Sequence, residues 1–286
     1  MTFTTHTTTS KDGTIIGYQQ IGNRQGLIIC HGGGTMSQDY EKLAIALSDT
    51  FTVYIPDRRG RGLSGQEGEG YNIQKATEDL VAVMQITSAD FIFGHSAGAM
   101  IALETMLVTP CKKLAIYEPP ISVNHSFPFS WLTEFEKALQ KGKRKKALAI
   151  LAKGLNVKGV GKMPLWTLRL LINGSALLDR KKKKVTRILD LLPTLTADVK
   201  MARELDSKFE RYHNIDIPVS LMAGSKTPEY NRIGLKALSE VLKQSKTTIF
   251  EGLDHSSPVE KVDKLADHLK RFYGTTIVKN IDNASR

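Results

Sequence analysis

Gly94-His95-Ser96-Ala97-Gly98 sets a serine between two glycines, after the apolar run Phe91-Ile92-Phe93 and before a helix-forming run that starts at Ala99. A serine projecting from a sharp strand-to-helix turn can act as a nucleophile, because backbone N–H groups beside it can hold an oxyanion. Flanking glycines let strand and helix approach closely at no steric cost. Two other segments suit the same chemistry. Leu27-Ile28-Ile29-Cys30 reads as a short buried strand and runs into His31-Gly32-Gly33-Gly34, a turn able to aim a backbone N–H at the serine. Thr247-Thr248-Ile249-Phe250 reads as a late strand, followed by a loop that holds His255. A serine hydroxyl needs a base to take its proton during attack. Of the seven histidines, only His255 stands in a loop after a late strand. His31 and His95 precede the glycine turns and suit bracing, His6 lies in an N-terminal strand, His125 and His213 bound a helical stretch, and His268 lies in the last helix.

The elements that must position these groups are read from periodicity. Phe3–Thr9 and Thr14–Ile21 suggest two edge strands joined at Asp12-Gly13. A helix is expected from Gln38 to Leu47, with Ser37 as its cap, and then a strand over Phe51–Ile55 closed by Pro56. Asn72 caps a helix reaching Ile86, with Ile73, Ala76, Leu80, Val83 and Met84 on one face. Leu114–Tyr117 is the next strand. Pro119 and Pro120 end both sheet pairing and helix there, so the chain leaves the core. Residues 121–213 read as helices, clearest over Trp131–Leu139, Lys145–Leu151, Leu165–Ile172 and Val199–Tyr212. Pro218–Gly224 returns as a strand, followed by helices over Tyr230–Leu242 and Val259–Tyr273, and Thr275–Arg286 is expected to fray. Strand–helix alternation outside the insertion argues for a mostly parallel sheet covered on both faces.

Five segments in order, His31–Gly34, Pro56-Asp57-Arg58-Arg59-Gly60-Arg61-Gly62-Leu63-Ser64, Gly94–Gly98, Tyr117-Glu118-Pro119-Pro120 and Gly252-Leu253-Asp254-His255, resemble the α/β-hydrolase-fold serine hydrolases. The resemblance covers residues 10–120 and 214–273. It implies a core of residues 1–120 and 214–286, with a helical lid over 121–213 inserted after the sixth core strand. It also implies Ser96 as nucleophile, His255 as base, and the backbone N–H groups of Gly33 and Ala97 as oxyanion donors. Many members carry an aspartate in the loop after the strand that here spans Pro218–Ala223, but this loop reads Gly224-Ser225-Lys226-Thr227-Pro228-Glu229, with Thr227 about where it would stand. Others, resembling haloalkane dehalogenases, place the acid at the end of the strand after the nucleophile, where this chain has Glu118. Glu118 is the expected acid and Glu229 its alternative; an acid at either strand end can orient the same imidazole. Against a catalytic role, Glu118 could instead pair with a loop arginine such as Arg58. The resemblance makes Arg58, Arg59 and Arg61 loop braces rather than a phosphate site.

A chain of 286 residues can bury a large core without staples. Met1–Ser10 is polar and threonine-rich, no run is long enough to span a membrane, and two cysteines suggest no disulfide framework, so a cytoplasmic setting is expected. The formal charge of +11 is uneven. Residues 121–213 hold 20 Lys+Arg against 8 Asp+Glu, and the remainder 20 against 21. The basic runs Lys141–Lys146 and Arg180–Lys184 lack interleaved aromatics, which argues against nucleic acid. They read as a solvated surface, with attraction to an anionic membrane or an acidic substrate as the sharper alternative. No metal cluster and no cofactor are expected; the partner is a small-molecule substrate, and the chain a monomer or homodimer.

The expected function is a cofactor-free serine hydrolase acting on a carboxylic ester, thioester or lactone through an acyl-enzyme. Two alternatives stand beside it: carbon–carbon bond hydrolysis on the same triad, and a ligand-binding signalling protein with slow turnover.

Overall fold

A computed structural model describes residues 2–178 and 184–274. The elements in chain order are β1 (Thr4–Thr9), β2 (Ile15–Ile21), β3 (Gly26–Cys30), α1 (Glu41–Leu47), β4 (Thr52–Pro56), α2 (Ile73–Thr87), β5 (Phe91–His95), α3 (Ala97–Met106) and β6 (Lys113–Tyr117). Then come α4 (Leu132–Gln140), α5 (Arg144–Gly154), α6 (Leu165–Leu178), α7 (Lys184–Leu191) and α8 (Thr194–Glu204). The chain closes with β7 (Val219–Gly224), α9 (Glu229–Val241), β8 (Ser245–Phe250), α10 (Ser257–Glu260) and α11 (Asp263–Gly274).

The eight strands form one sheet in the order β1-β2-β4-β3-β5-β6-β7-β8. β1 and β2 pair antiparallel, as do β2 and β4, and every other pairing is parallel. β2 is therefore an interior strand, not the edge strand expected from its sequence. Successive side chains of a strand face opposite sides of the sheet. Along β5, Ile92 enters one buried cluster with Ile28, Leu114 and Leu221, while Phe91 and Phe93 enter the other with Leu27, Ile29 and Met222. Sheets buried on both faces read as unbroken apolar runs, which is why the central strands were visible in the sequence.

Between β6 and β7 the described chain is helical, and α4, α5 and α8 share a core built on Trp131, Phe135, Ile150 and Leu195. The helix expected over Val199–Tyr212 breaks instead. α8 stops at Glu204, Ser207 takes a left-handed φ of 57°, and a short 3-10 turn follows over Phe209–Asn214. Ser37 does not cap α1; it opens a 3-10 turn, Ser37–Tyr40, that leads into the helix. Asn72 does cap α2, its Oδ1 accepting the Lys75 N–H at 3.0 Å. The single last helix expected from Val259 is two, α10 and α11, and α11 also buries Tyr273. Lys141, Lys143 and Lys145 are exposed, and Arg144 pairs with Asp190. Residues 180–183 of the second basic run and the tail Thr275–Arg286 lie outside the described residues. Cys30 and Cys111 are free and buried. Among the described residues, no helix is long and apolar enough to cross a membrane.

Candidate active site

In a parallel sheet, ligands gather outside the carboxyl ends of the strands. β3, β5, β6 and β8 all deliver candidate residues there. Ser96 follows β5 directly, with φ 52° and ψ −122°, a strained conformation for a residue with a side chain. The flanking glycines show what enforces the turn. A Cβ on Gly94 would lie 2.6 Å from Ala99 Cα, and one on Gly98 would lie 2.1 Å from the Cys30 carbonyl oxygen. Only glycine lets α3 start that close to β3 and β5. The Ser96 N–H donates to the Tyr117 carbonyl at 3.0 Å, which fixes the turn to β6. Ala97 is the first residue of α3, where N–H groups have no partner within the helix and the dipole is positive.

The Gly32–Gly34 turn is held from several sides. His31 is fully buried, and its Nε2 accepts the Arg58 N–H at 3.1 Å. The proton therefore sits on Nδ1, which donates to the Gly32 carbonyl at 2.9 Å. Burial, with Arg61 and Arg58 adding to it, holds His31 well below the usual histidine range, so it is a neutral brace. The Gly32 N–H donates to the Tyr40 hydroxyl at 3.0 Å, and the same hydroxyl is hydrogen-bonded to His95 Nδ1. A Cβ on Gly32 would lie 3.3 Å from Ser96 Cβ, so this turn adjoins the serine. A Cβ on Gly33 would meet Leu195 Cδ2 at 2.7 Å and Asp198 Oδ2 at 2.8 Å, both on α8. The helical insert thus rests on the glycine turn.

Glu118, at the end of β6, is fully buried with φ 47°. Three donors converge on its carboxylate. Gly224 N–H reaches Oε1 at 2.9 Å, while Asn231 Nδ2 and His255 Nδ1 reach Oε2 at 3.3 and 2.7 Å. The pairing of Glu118 with Arg58, the structural alternative, does not occur; Arg58 pairs with Asp198. Glu229 is exposed in the first turn of α9. Thr227 is buried and accepts from Asn231 Nδ2 at 3.2 Å, so the residue standing where an aspartate was expected helps hold the side chain that holds Glu118.

His255 is half exposed at its side chain. Its loop is pinned by the Tyr117 hydroxyl on the Asp254 carbonyl at 2.8 Å and by the Asp254 N–H on Ser257 Oγ at 2.9 Å. Gly224 lets this loop pass, since a Cβ there would lie 2.2 Å from the Leu253 carbonyl oxygen. The His95 and His255 rings stand 4.8 Å apart. Burial, and then the electrostatic influence of the neighbouring His255 ring, keep His95 well below the usual histidine range. The structure thus joins Glu118 to His255 and sets Ser96 beside His95 and Gly32. No hydrogen bond joins the Ser96 hydroxyl to His255; such bonds are often long in substrate-free sites and tighten around substrate.

The arginine loop braces the scaffold. Arg59 is clasped by Asp79 and Asp12, and Asp79 also accepts from Ser10 Oγ at 2.6 Å. Side-chain hydrogen bonds from Arg59 hold the Asp12 carboxyl well below its ordinary value. A cavity of about 610 Å³ bordered by Thr9, Lys11, Glu78 and Val108 includes none of the candidate residues. Among the described residues, no group of three His, Cys, Asp or Glu could hold a metal ion. Tyr40, Asn231 and Asp198 were not anticipated from the sequence. Each acts through contacts between segments distant in the chain, for which the sequence offers no local signal.

A family model described as serine aminopeptidase, S33, matches residues 22–261. The uncharacterized hydrolase YraK of Bacillus subtilis (strain 168) is 27% identical over 148 residues, which is 49% of this chain and 55% of that protein. The matched part thus spans about half the length of that curated relative. An α/β hydrolase from Sphaerobacter thermophilus DSM 20745 superposes with a TM-score of 0.76 at 26% identity, covering 92% of this chain and all of the other. The esterase RhEst1 from Rhodococcus sp. ECU1013 superposes with a TM-score of 0.70 at 18% identity, covering 95% of this chain and 98% of the other. The chain belongs to this serine aminopeptidase S33 family and has the α/β-hydrolase fold.

Proposed function

We propose that this hydrolase cleaves a carboxylic ester, thioester or lactone through a covalent acyl-serine. The observation that carries the reading is the 2.7 Å bond between buried Glu118 and His255 Nδ1, at the same carboxyl end of the sheet as a serine held in a strained turn. Ser96 Oγ attacks the carbonyl carbon while His255 Nε2 takes its proton. Glu118 keeps the proton on Nδ1, so that Nε2 faces the reaction as an acceptor, and stabilises the imidazolium that forms. The N–H groups of Gly33 and Ala97 hold the oxyanion. The imidazolium protonates the leaving alcohol, and water, activated by the same histidine, releases the acid. The insert over 121–213 acts as a lid, bearing on Gly33 through Leu195 and Asp198. With both cysteines free and buried, a reducing cytoplasmic setting suits the protein.

A panel of p-nitrophenyl esters, a lactone and an aminoacyl p-nitroanilide tests this reading, the last because the family's name concerns peptides. Ester or lactone turnover that disappears in Ser96→Ala supports it. Turnover of the anilide alone moves the assignment to amide cleavage, and undiminished ester turnover in Ser96→Ala removes the acyl-serine.

A further inference from the structure

Arg58 and Arg61 are 6% and 2% exposed, and both point at one carboxylate, Asp198, carried in by α8. Arg58 reaches it through both terminal nitrogens, and Arg61 Nη2 reaches Oδ2 at 3.2 Å. The Nε atoms of both arginines are buried without a hydrogen-bond partner. The next acid is Glu67, whose Oε1 stands 3.9 Å from Arg61 Nη1. That distance is beyond hydrogen-bond reach, Glu67 Oε1 is itself buried without a hydrogen-bond partner, and burial pushes the Glu67 carboxyl up to about 7 against the pull of Arg61. Two guanidiniums thus share one committed carboxylate. A buried cationic pair so arranged is short of an anion.

Its position gives that shortage a use. Asp198 Oδ2 lies where a Cβ on Gly33 would be 2.8 Å away, and Gly32, the preceding residue, adjoins Ser96. The carboxylate on the arginine pair is therefore one turn residue from the proposed nucleophile. Guanidinium forks match a planar carboxylate with two parallel bonds. Glu67 also lines a surface groove of about 430 Å³ with Ala197 and Lys200, so the cluster borders solvent on that side.

We infer that the substrate carries a carboxylate a few bonds from its scissile carbonyl, and that Arg58 and Arg61 receive it in exchange for Asp198. This specificity rests on Ser96 being the nucleophile. It describes monoesters of short dicarboxylic acids, or lactones bearing a carboxylate, rather than simple alkyl esters. Asp198 then holds the pair, and the insert, in place while substrate is absent.

The test compares monomethyl glutarate with methyl pentanoate, which match in length and differ in the terminal charge. Methanol release by the wild-type protein should favour the glutarate by about tenfold or more in kcat/KM, mostly through KM, as expected for one charge-assisted pair. Arg61→Gln should bring that ratio close to one, while Arg61→Lys, which keeps the charge and serves as the check on folding, should retain part of it. Hydrolysis of both esters at equal kcat/KM by the wild type would overturn the inference and leave the acyl-serine reading standing. Glutarate binding to Ser96→Ala, measured by calorimetry, examines the pair without turnover. Binding lost in Ser96→Ala/Arg61→Gln supports the site, and no binding to Ser96→Ala refutes it, whatever the esterase assays give.

Discussion

Glu118→Gln changes one atom and reverses the logic of the candidate triad. The Glu118 carboxylate accepts from Gly224 N–H, Asn231 Nδ2 and His255 Nδ1 and is fully buried. A glutamine amide has one oxygen and one NH₂ group. The Gly224 N–H is fixed to the backbone of β7 and keeps the amide oxygen, so the NH₂ group turns towards His255 Nδ1. Two donors then face each other. The imidazole relieves the clash by moving its proton to Nε2, and Nε2 can no longer accept from Ser96. Loss of the correct tautomer, together with loss of the charge facing the imidazolium, predicts a fall in kcat of about 10³–10⁴. That is about 4–5.5 kcal/mol of transition-state stabilisation. The stability cost is smaller, about 1–3 kcal/mol for a buried hydrogen bond to a charged group. Steady-state kinetics on a p-nitrophenyl ester, with a urea melt of the same preparation, separates the two. A folded Glu118→Gln protein within threefold of wild-type kcat would refute the reasoning. The same assay on Glu229→Gln should show little change, because that side chain is exposed at the start of α9.

Three further outcomes follow from the packing and the charges. Tyr40→Phe removes the acceptor of the Gly32 N–H and the hydrogen-bond partner of His95 Nδ1, and should cost about 1–3 kcal/mol in a urea melt while slowing acylation. Glu67 is more readily protonated in the folded chain than in the unfolded one, so the unfolded state binds fewer protons between its ordinary value of 4.5 and about 7. Stability attributable to this group therefore falls as pH rises through that window, and Glu67→Gln should melt higher than wild type at pH 8 by about 1–3 kcal/mol but not at pH 5; an unchanged difference at the two pH values would contradict it. Phe93→Ala opens a cavity at the centre of β5, where the side chain is fully buried, and should lower urea stability by about 3–5 kcal/mol.

What could be read from the sequence divides along physical lines. The central strands announced themselves because both faces of the sheet are buried, and each strand is short and bounded by glycine or proline. Ser96 and His255 could be singled out as candidates because a glycine-flanked turn after a strand and a loop after a late strand are local patterns. The choice of Glu118 over Glu229 was legible only as a preference between two strand ends. In the folded chain the Glu118 side chain meets His255 from 137 residues away, and Asn231 and Thr227 support it from a third segment. Asp198 lay hidden for the same reason. Within α8 it is one acid among ordinary helix residues, and its partners Arg58 and Arg61 lie 140 and 137 residues earlier. Local patterning also misjudged where helices stop. Val199–Tyr212 has continuous helical periodicity, but the Ser207 N–H is taken by the Ser122 carbonyl at 2.8 Å, a long-range bond that competes with the helix.

The central claim is that Ser96 becomes covalently acylated. Incubation with a fluorophosphonate, followed by intact-mass and peptide mapping, tests it most directly. The account predicts one adduct per chain, on the peptide containing Ser96, absent from Ser96→Ala and formed far more slowly in Glu118→Gln. An adduct on another residue, or stoichiometric labelling that persists in Ser96→Ala, would contradict it.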